Sequence, residues 1–343
     1  MTLATLLLAL AAPQDPPAPP AAFEAAAEYS QAHGGLALAV RDAAGELLFE
    51  RYADGIGPAN ALPLYSAGHG FWAVAALAAE QDGLLELEAP VARWLPAWQG
   101  VVAKEQVLVR QLLDMTAGLD PNPKAVRSPY TSDRYKAALD SRMTERAGAR
   151  FRFGPCPWMV FGALLGEVGE PRQEDAFAYL KRRVLDPLEI ETIDWERDRA
   201  GNPMIPFGAY LTAREWSKLG AFLLAGGRVG EAQLVEAERL ARLNEPCPAN
   251  DGYGLGFWRR GSLARDVEDE SQGAASGGEA TDDALAGLPD DVYFSAGLGG
   301  QRLYVIPSRG LTVARLGLPA GPWSDVHFLR LLLDAPAPAQ DGE

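Results

Sequence analysis

Ser66 and His69 are the two residues of this chain whose types and spacing most directly suggest chemistry. They stand three positions apart at the start of an apolar run, FWAVAALAAEQDGLLEL, which has the pattern of a helix. Residues at this spacing share one helix face, so a hydroxyl and a proton acceptor would be neighbours there. The backbone N–H of Ser66 would be one of the unpaired donors of the first turn, available to a developing oxyanion. This arrangement is typical of a nucleophile for acyl transfer.

Both residues also have ordinary structural explanations. A serine at the start of a helix commonly serves as its N-cap. An imidazole with a pKa near ~6.5 can take a proton from a hydroxyl at neutral pH, which favours a catalytic His69. Against this, Gly68 and Gly70 flank the histidine, and each weakens a helix by roughly 0.5–1 kcal/mol relative to alanine. A histidine that only fills its site is therefore the slightly favoured alternative.

Length, charge and composition exclude several classes of function. The chain has 343 residues, of which 48% are hydrophobic, so a sizeable core can form. Its net charge is −15 and basic clusters are absent from the sequence, which argues against nucleic acid and anionic membrane surfaces as partners. The three histidines, at positions 33, 69 and 327, are scattered, and there is no CxxC or HExxH pattern. We therefore expect neither a metal site nor a cofactor.

The N-terminal segment and the two cysteines give information on the cellular compartment of the protein. Leu3 to Ala12 is an apolar stretch too short to span a bilayer, and the Pro-rich PQDPPAPP follows it. This predicts an export signal, atypical because it lacks Lys and Arg, with a mature chain starting near Ala21. We expect an extracytoplasmic protein, periplasmic or secreted, with no stable membrane span. Cys156 and Cys247 could pair or remain as two buried thiols, and the sequence leaves both readings open.

Apolar periodicity places strands near both ends of the chain and helices in the middle. Phe23 to His33 is predicted to be a helix, and GLALAVRD with ELLFERY a hairpin. Four further strands and a final helix, DVHFLRLLLDA, follow Cys247. The strands of both ends most economically share one antiparallel sheet, with the helical part inserted between them. Residues 262–291 hold nine acidic residues against one basic, which predicts a disordered surface loop.

From about residue 30 to 330 the chain resembles the serine β-lactamase and penicillin-binding family, in the branch of class C β-lactamases, D-alanyl-D-alanine carboxypeptidases and related esterases. The resemblance lies in five blocks that follow the family's order: LYSAGHGFWAVAALAAEQDGLLELEAPVARWLPAW, VLVRQLLDMTAGLDP, FGAYLTAREWSKLGAFLLAGGR, YGLGFW and GLGGQRLYVIPSRGLTVARLG. It implies an α+β fold in which an antiparallel sheet is flanked by helices and carries an inserted all-helical region. The sheet part would comprise about 21–62 and 226–340, and the helical part about 63–225, after a signal-like segment and linker at 1–20.

Two of the three family motifs have lost a group that handles protons. In the SxxK motif Ser66 matches the nucleophile, and His69 stands where the family has lysine. In the YxN motif Phe153 stands at the tyrosine and Pro155 at the asparagine. A phenyl ring has no proton to move and proline has no side-chain amide.

The third motif, K/H-T/S-G, reads Ser295-Ala296-Gly297 and lacks the cation. The resemblance implies that Leu298 offers a second oxyanion donor beside the N–H of Ser66. Tyr130 is the best candidate for a substitute substrate-facing tyrosine. Tyr65 and Tyr293 adjoin motif positions but are predicted to point away from the cleft.

The resemblance implies two functions of different classes. The first, narrowly favoured, is a hydrolase of a small-molecule or peptide-like ester or amide, acting through a Ser66 acyl-enzyme with His69 as base. The alternative is a catalytically inactive member that binds a peptidoglycan fragment, a peptide or a protein partner in the cleft.

Overall fold

The structure is a computed structural model that describes residues 20–192, 194–265, 267, 282–320 and 323–334. Residues 1–19 of the predicted export signal lie outside this range, and export remains a prediction. The first described residue, Pro20, already begins a helix. Within the described ranges, no helix is both long and apolar enough to cross a membrane.

A six-stranded antiparallel sheet joins the two ends of the chain, as the sequence predicts. Its strand order is β2-β1-β11-β10-β9-β8, so the N-terminal hairpin pairs with the last strand. Two short additional sheets are formed by β3, β5 and β4 and by β6 and β7. The strands of the described residues are β1 (Gly35–Asp42), β2 (Leu47–Tyr52), β3 (Leu62–Pro63), β4 (Asp194–Trp195), β5 (Ala209–Leu211), β6 (Arg228–Val229), β7 (Ala232–Gln233), β8 (Trp258–Arg259), β9 (Tyr293–Gly297), β10 (Gln301–Ile306) and β11 (Leu311–Gly317).

Helices cover both faces of this sheet, which confirms the predicted fold class. The helices are α1 (Pro20–Ala32), α2 (His69–Gln81), α3 (Val109–Leu113), α4 (Lys124–Arg127), α5 (Arg134–Leu139), α6 (Pro155–Gly169), α7 (Ala176–Leu180), α8 (Ala213–Leu224), α9 (Ala237–Ala241), α10 (Asp282–Leu285) and α11 (Asp325–Leu333). On one face, α1 and α11 pack against each other, and Tyr304 of β10 stacks on Phe328 of α11. On the other face, Arg41 of β1 donates to the hydroxyl of Ser217 in α8.

Helix α8 packs on the sheet, so the predicted helical part extends too far along the chain. The side chain of Thr212 caps the helix by accepting a hydrogen bond from the N–H of Glu215 at 3.1 Å. Gly220 lies so close to Thr312 of β11 that an added Cβ would stand 1.8 Å from the threonine hydroxyl. The boundary predicted at residue 225 therefore belongs before α8, because this helix completes the layer against the sheet.

The predicted disordered loop at 262–291 needs corrected boundaries, because both of its ends are folded. Leu263, Leu285 and Leu288 are buried. Arg330 of α11 donates to the carbonyl of Ala284 at 2.9 Å, which ties α10 to the body of the protein. The acidic average composition of the segment concealed these leucines, which are buried. Residues 266 and 268–281 lie outside the described ranges.

The two cysteines are both free and buried. Burial raises the pKa of the Cys156 thiol to about 12, and burial also raises the pKa of Cys247. Both thiols are therefore protonated at neutral pH and behave as small apolar side chains. The sequence left open whether Cys156 and Cys247 form a disulfide. In the structure they are unpaired.

Candidate active site

Ser66 lies in a tight 3₁₀ turn, Tyr65–Gly68, that connects β3 to α2. The turn begins where Leu64 donates to the carbonyl of Ala209 in β5 at 2.9 Å. Tyr65 has φ +49°, in the left-handed region that non-glycine residues seldom adopt. Such a conformation is costly and is held only by well-packed surroundings. The turn places Ser66 immediately before the buried helix α2.

The end of β9 supports this turn from the side. The Ser295 hydroxyl donates to the carbonyl of Ala67 at 2.7 Å, so it is committed to the backbone of the turn. A Cβ on Gly297 would stand 2.3 Å from the carbonyl oxygen of Leu64 and 2.8 Å from the nitrogen of Ala67. Only glycine allows the strand to approach the turn this closely. The third motif therefore retains a positioning role although it lacks the cation.

A pocket of about 190 Å³ opens beside Ser66. It unites four of the predicted site positions, Ser66, His69, Phe153 and Pro155. The other lining residues are Asn122, Arg127, Gly154, Pro206 and Phe207. The lining therefore contains one hydroxyl, one amide, one imidazole and one cation.

Four predicted positions are not among the residues that line this pocket. Ser295 and Gly297 contact the turn from the strand, as described above. Leu298 follows at the end of β9 with its side chain 53% exposed, and its role as oxyanion donor remains a prediction. The Tyr130 ring is 82% exposed and outside the pocket lining, so nothing in the geometry supports a substrate-facing role.

His69 is packed as an aromatic side chain. Only 3% of its surface is exposed, and its ring stacks on Trp158 of α6 with centroids 4.7 Å apart and planes at 14°. The Phe153 ring lies 5.6 Å away. Gly70, interpreted from the sequence as loosening the helix, instead makes room for Phe257, whose ring would lie 2.9 Å from an added Cβ.

Burial makes His69 a poor base. Desolvation of the charged form lowers the pKa of the imidazole to about 3, with no carboxylate contributing to the shift. Relative to an ordinary histidine this weakens proton uptake by roughly 5 kcal/mol. The Nε2 atom has no hydrogen-bond partner among the described residues, and no hydrogen bond joins the Ser66 hydroxyl to the imidazole within them. The predicted Ser66–His69 pair is adjacent but not coupled.

Among the described residues around Phe153, none supplies the pocket with a substitute for the lost tyrosine hydroxyl. Phe153 is 6% exposed and packs on Trp258 at 5.5 Å and on Tyr253 at 6.1 Å. Burial raises the pKa of Tyr253 well above its usual range, and its hydroxyl is buried without a hydrogen-bond partner in the described part of the chain. This phenol remains protonated under all ordinary conditions and does not line the pocket.

Pro155 serves as the first residue of α6, where its missing N–H costs nothing. The preceding Gly154 lies against the loop of Pro121, because an added Cβ would stand 2.3 Å from that carbonyl oxygen. The same carbonyl accepts a hydrogen bond from the N–H of Cys156 at 3.1 Å. The second motif thus has become a packing contact between α6 and the loop that holds Asn122.

Replacing His69 by Phe is expected to make the free energy of unfolding less dependent on pH between pH 7.5 and pH 5. The unfolded chain takes up a proton at this histidine near pH 6.5, whereas the folded chain does so only near pH 3. Stability is therefore lost as the pH falls between these values, by about 2 kcal/mol from pH 7.5 to pH 5. Urea unfolding at both pH values should show wild type losing about 2 kcal/mol more than His69→Phe. His327→Gln, at an exposed position, is the control, and an equal effect of both variants would contradict the assignment.

Within the described residues, no three His, Cys, Asp or Glu side chains come together as they would around a metal ion.

Comparison with known proteins places the chain in a family. The Beta-lactamase family model matches residues 21–317. No curated protein sequence gives a match. Among solved structures, a novel penicillin-binding protein homologue from Caulobacter crescentus has TM-score 0.68 and 15% identity, over 94% of this chain and 98% of that one. A β-lactamase from Mycobacterium bovis has TM-score 0.61 and 18% identity, over 91% and 97%.

A family VIII carboxylesterase also shares the fold, with TM-score 0.68, 15% identity and coverage of 94% of this chain and 98% of that one. At these identities the structural likeness establishes the fold alone, whereas the family match spans most of the chain. The chain belongs to the Beta-lactamase family and has the fold of its serine hydrolases.

Proposed function

We propose that this protein binds a small ligand beside Ser66 without efficient acyl transfer. The observation that carries the proposal is the state of His69, whose pKa is lowered to about 3 by burial and whose ring is stacked on Trp158. A serine hydroxyl needs a base to become a nucleophile at neutral pH. Among the described residues that line the pocket there is no carboxylate, lysine or tyrosine to provide one.

The hydrolase reading rests on different features of the same site. Ser66 faces the pocket, and its strained turn and the supporting β9 are intact. These features keep the position of a nucleophile but provide no proton acceptor. Loss of a general acid or base typically lowers the rate ~10²–10⁴-fold, and this site has lost two such groups. Binding without turnover is therefore the function that the geometry favours.

The size of the pocket limits the ligand. A volume of about 190 Å³ accommodates a small molecule or the end of a peptide, not a folded segment of a partner. Of the occupants that the sequence left open, a small or peptide-like ligand is thus the better candidate. The family's hydrolases act on small molecules, which agrees with this choice.

Covalent labelling tests the proposal. After incubation with a fluorophosphonate and, separately, with a β-lactam, intact mass should show no stoichiometric adduct on the wild-type protein at pH 7.5. Both reagents report on serine nucleophilicity without requiring the natural substrate. Ser66→Ala serves as the control for labelling elsewhere. A complete adduct that disappears in Ser66→Ala would contradict the proposal and establish the hydrolase reading.

A further inference from the structure

We propose that a second pocket, between two β-hairpins and helix α8, binds a small amphipathic carboxylate, a molecule with an anionic head and an apolar body. The pocket has a volume of about 460 Å³, against about 190 Å³ for the pocket beside Ser66. None of the described residues that line it also lines the Ser66 pocket. The proposal therefore goes beyond the proposed function, and its outcome does not depend on the reactivity of Ser66.

Three segments of the chain form most of the lining of this second pocket. Strand β1 contributes Arg41, and the turn that follows it contributes residues 43–45. The β6–β7 hairpin contributes residues 228–230. Helix α8 and the residue after it contribute a set of side chains whose spacing places them on one helix face. These are Lys218, Ala221, Phe222 and Ala225.

One part of the lining is apolar. Ala221 and Phe222 are buried, and Leu188 and Ala225 are half-buried. Val229 of the β6–β7 hairpin is 38% exposed although its side chain is apolar. Covering such surface with the hydrocarbon part of a ligand removes it from water, which is favourable. A purely polar anion would leave this part of the pocket unused.

The other part of the lining is basic. It consists of Arg41, Lys218 and Arg228, and the described lining residues include no carboxylate. Lys218 is neutralised, because its ammonium group pairs with the Glu215 carboxylate at 2.8 Å. The two arginines form no ion pair with a carboxylate within the described ranges; their hydrogen bonds go to uncharged acceptors. In a chain of net charge −15, two such guanidinium groups on one pocket favour an anionic ligand.

Arg41 is a partly buried cation that only uncharged groups hold in place. Its guanidinium donates to the Ser217 hydroxyl at 2.8 Å and to the carbonyl of Gly45 at 2.7 Å. A longer hydrogen bond, of 3.4 Å, goes to the carbonyl of Arg214. Burial lowers the pKa of Arg41, although three nearby carboxylates act in the opposite direction. An anion bound next to this guanidinium would offset the cost of its burial.

Arg228 brings a second guanidinium to the pocket from the surface. The residue is exposed, and it stands opposite Gln233 in the β6–β7 hairpin. It donates to the Gln233 side chain at 3.3 Å and to the carbonyl of Glu231 at 2.8 Å. A guanidinium has five N–H donors, and a carboxylate needs only two of them. Arg228 can therefore support its hairpin and bind a ligand carboxylate at the same time.

Two probes that differ in charge test the anionic head. Hydrocinnamate has a phenyl ring and a carboxylate, and hydrocinnamamide replaces the carboxylate by a neutral amide. In calorimetric titrations of the full chain at low salt, we expect hydrocinnamate to bind about tenfold more tightly than hydrocinnamamide. Equal affinities for the two probes would overturn the assignment of a carboxylate ligand, and absence of binding by both would overturn the site.

Inorganic phosphate tests the apolar body. It carries more charge than hydrocinnamate but no hydrocarbon, so we expect it to bind at least about tenfold more weakly. Phosphate that binds as tightly as hydrocinnamate would overturn the amphipathic ligand and indicate a site for small inorganic anions.

The variant Arg228→Gln tests whether the carboxylate binds at this pocket. It should remove most of the preference for hydrocinnamate over hydrocinnamamide, and an unchanged preference would overturn the site. Arg199→Gln is the matched control, because Arg199 is also exposed but does not line the pocket. It removes the same net charge and should retain the preference. An equal loss in both variants would reduce the effect to general electrostatics and overturn the role of Arg228.

The variant Ala225→Leu tests the apolar wall. The larger side chain occupies part of the pocket, so it should weaken hydrocinnamate and hydrocinnamamide alike, by about tenfold, and leave the ratio of their affinities unchanged. Circular dichroism of each variant verifies that the fold is retained. Unchanged affinities in folded Ala225→Leu would show that both probes bind elsewhere and would overturn the proposal.

Discussion

The double variant His69→Lys/Phe153→Tyr is expected to react covalently at Ser66 at least ~100-fold faster than wild type. Both positions line the pocket beside Ser66, so the two new groups would face the hydroxyl. A lysine buried among Trp158 and its neighbours would have its pKa lowered by desolvation, and its neutral form could accept a proton. The introduced tyrosine would restore a hydroxyl for proton transfer. The measurement is the rate of fluorophosphonate labelling by intact mass at pH 7.5.

A matched variant separates proton transfer from repacking. His69→Lys/Phe151→Tyr adds the same hydroxyl to the same aromatic cluster, because Phe151 packs on Phe153 with centroids 6.5 Å apart. Phe151 does not line the pocket, so this variant should react more slowly than the Phe153→Tyr combination. Adding Ser66→Ala to the double variant should abolish labelling. Wild-type rates in a folded double variant would show that the lost reactivity has another cause.

The sequence predicts the frame of the site well because that frame rests on local patterns. Short runs rich in apolar residues predict β1, β2 and β9 to β11, and the buried helix α2 fixes where Ser66 stands. In the structure Gly297 allows a close backbone approach to Leu64, which the sequence analysis did not predict. The predicted elements depend on short-range periodicity.

The chemistry of the site is less predictable because it depends on burial from distant segments. The pKa of His69 is lowered by burial against Trp158, which lies far away in the sequence and has no motif relation to it. Sequence alone assigns His69 an ordinary pKa, and on that value it would be a competent base. Asn122 and Arg127 were missed for the same reason, since only the folded loop brings them to Ser66.

Average composition also misleads where a few residues decide packing. The acidic segment at 262–291 contains Leu263, Leu285 and Leu288, all buried, and these anchor both of its ends. Charge dominates a composition average, whereas three leucines at the right positions are enough to fold the ends against the core.

Asp325→Ala is expected to destabilise the folded chain by about 3–5 kcal/mol, because it removes the carboxylate from a buried charge cluster. Asp325 is 3% exposed and accepts hydrogen bonds from Nε of Arg302 at 2.8 Å and from Nε1 of Trp323 at 3.0 Å. The hydroxyl of Tyr304 donates to it as well. The carboxylate also stands at the first residue of α11, where a negative charge is favourable.

The control for this prediction is an ion pair at the protein surface, between a carboxylate and an ammonium group that are both largely exposed to water. Asp140 pairs with Lys136 at 2.7 Å, and their side chains are 65% and 70% exposed, so Asp140→Ala should cost much less than Asp325→Ala. Urea unfolding followed by circular dichroism measures both variants. Asp325→Asn should lose less than Asp325→Ala, because the amide oxygen can still accept one hydrogen bond. Equal losses in Asp140→Ala and Asp325→Ala would show that the buried cluster contributes no more than a surface pair.

The cluster matters for the site because Arg302 connects it to β9. Arg302 is 2% exposed and also donates from Nη1 to the carbonyl of Gly297 at 3.4 Å. Gly297 is the residue that packs against the Ser66 turn. Without the Asp325 carboxylate, the Arg302 guanidinium needs another hydrogen-bond acceptor. The carbonyl of Gly297, at the end of β9, lies within its reach. In Asp325→Ala we therefore expect faster hydrogen exchange at Gly297 and Leu298 even at urea concentrations where the protein remains folded. If hydrogen exchange at Gly297 and Leu298 is unchanged although Asp325→Ala lowers the free energy of unfolding, the cluster contributes only to overall stability.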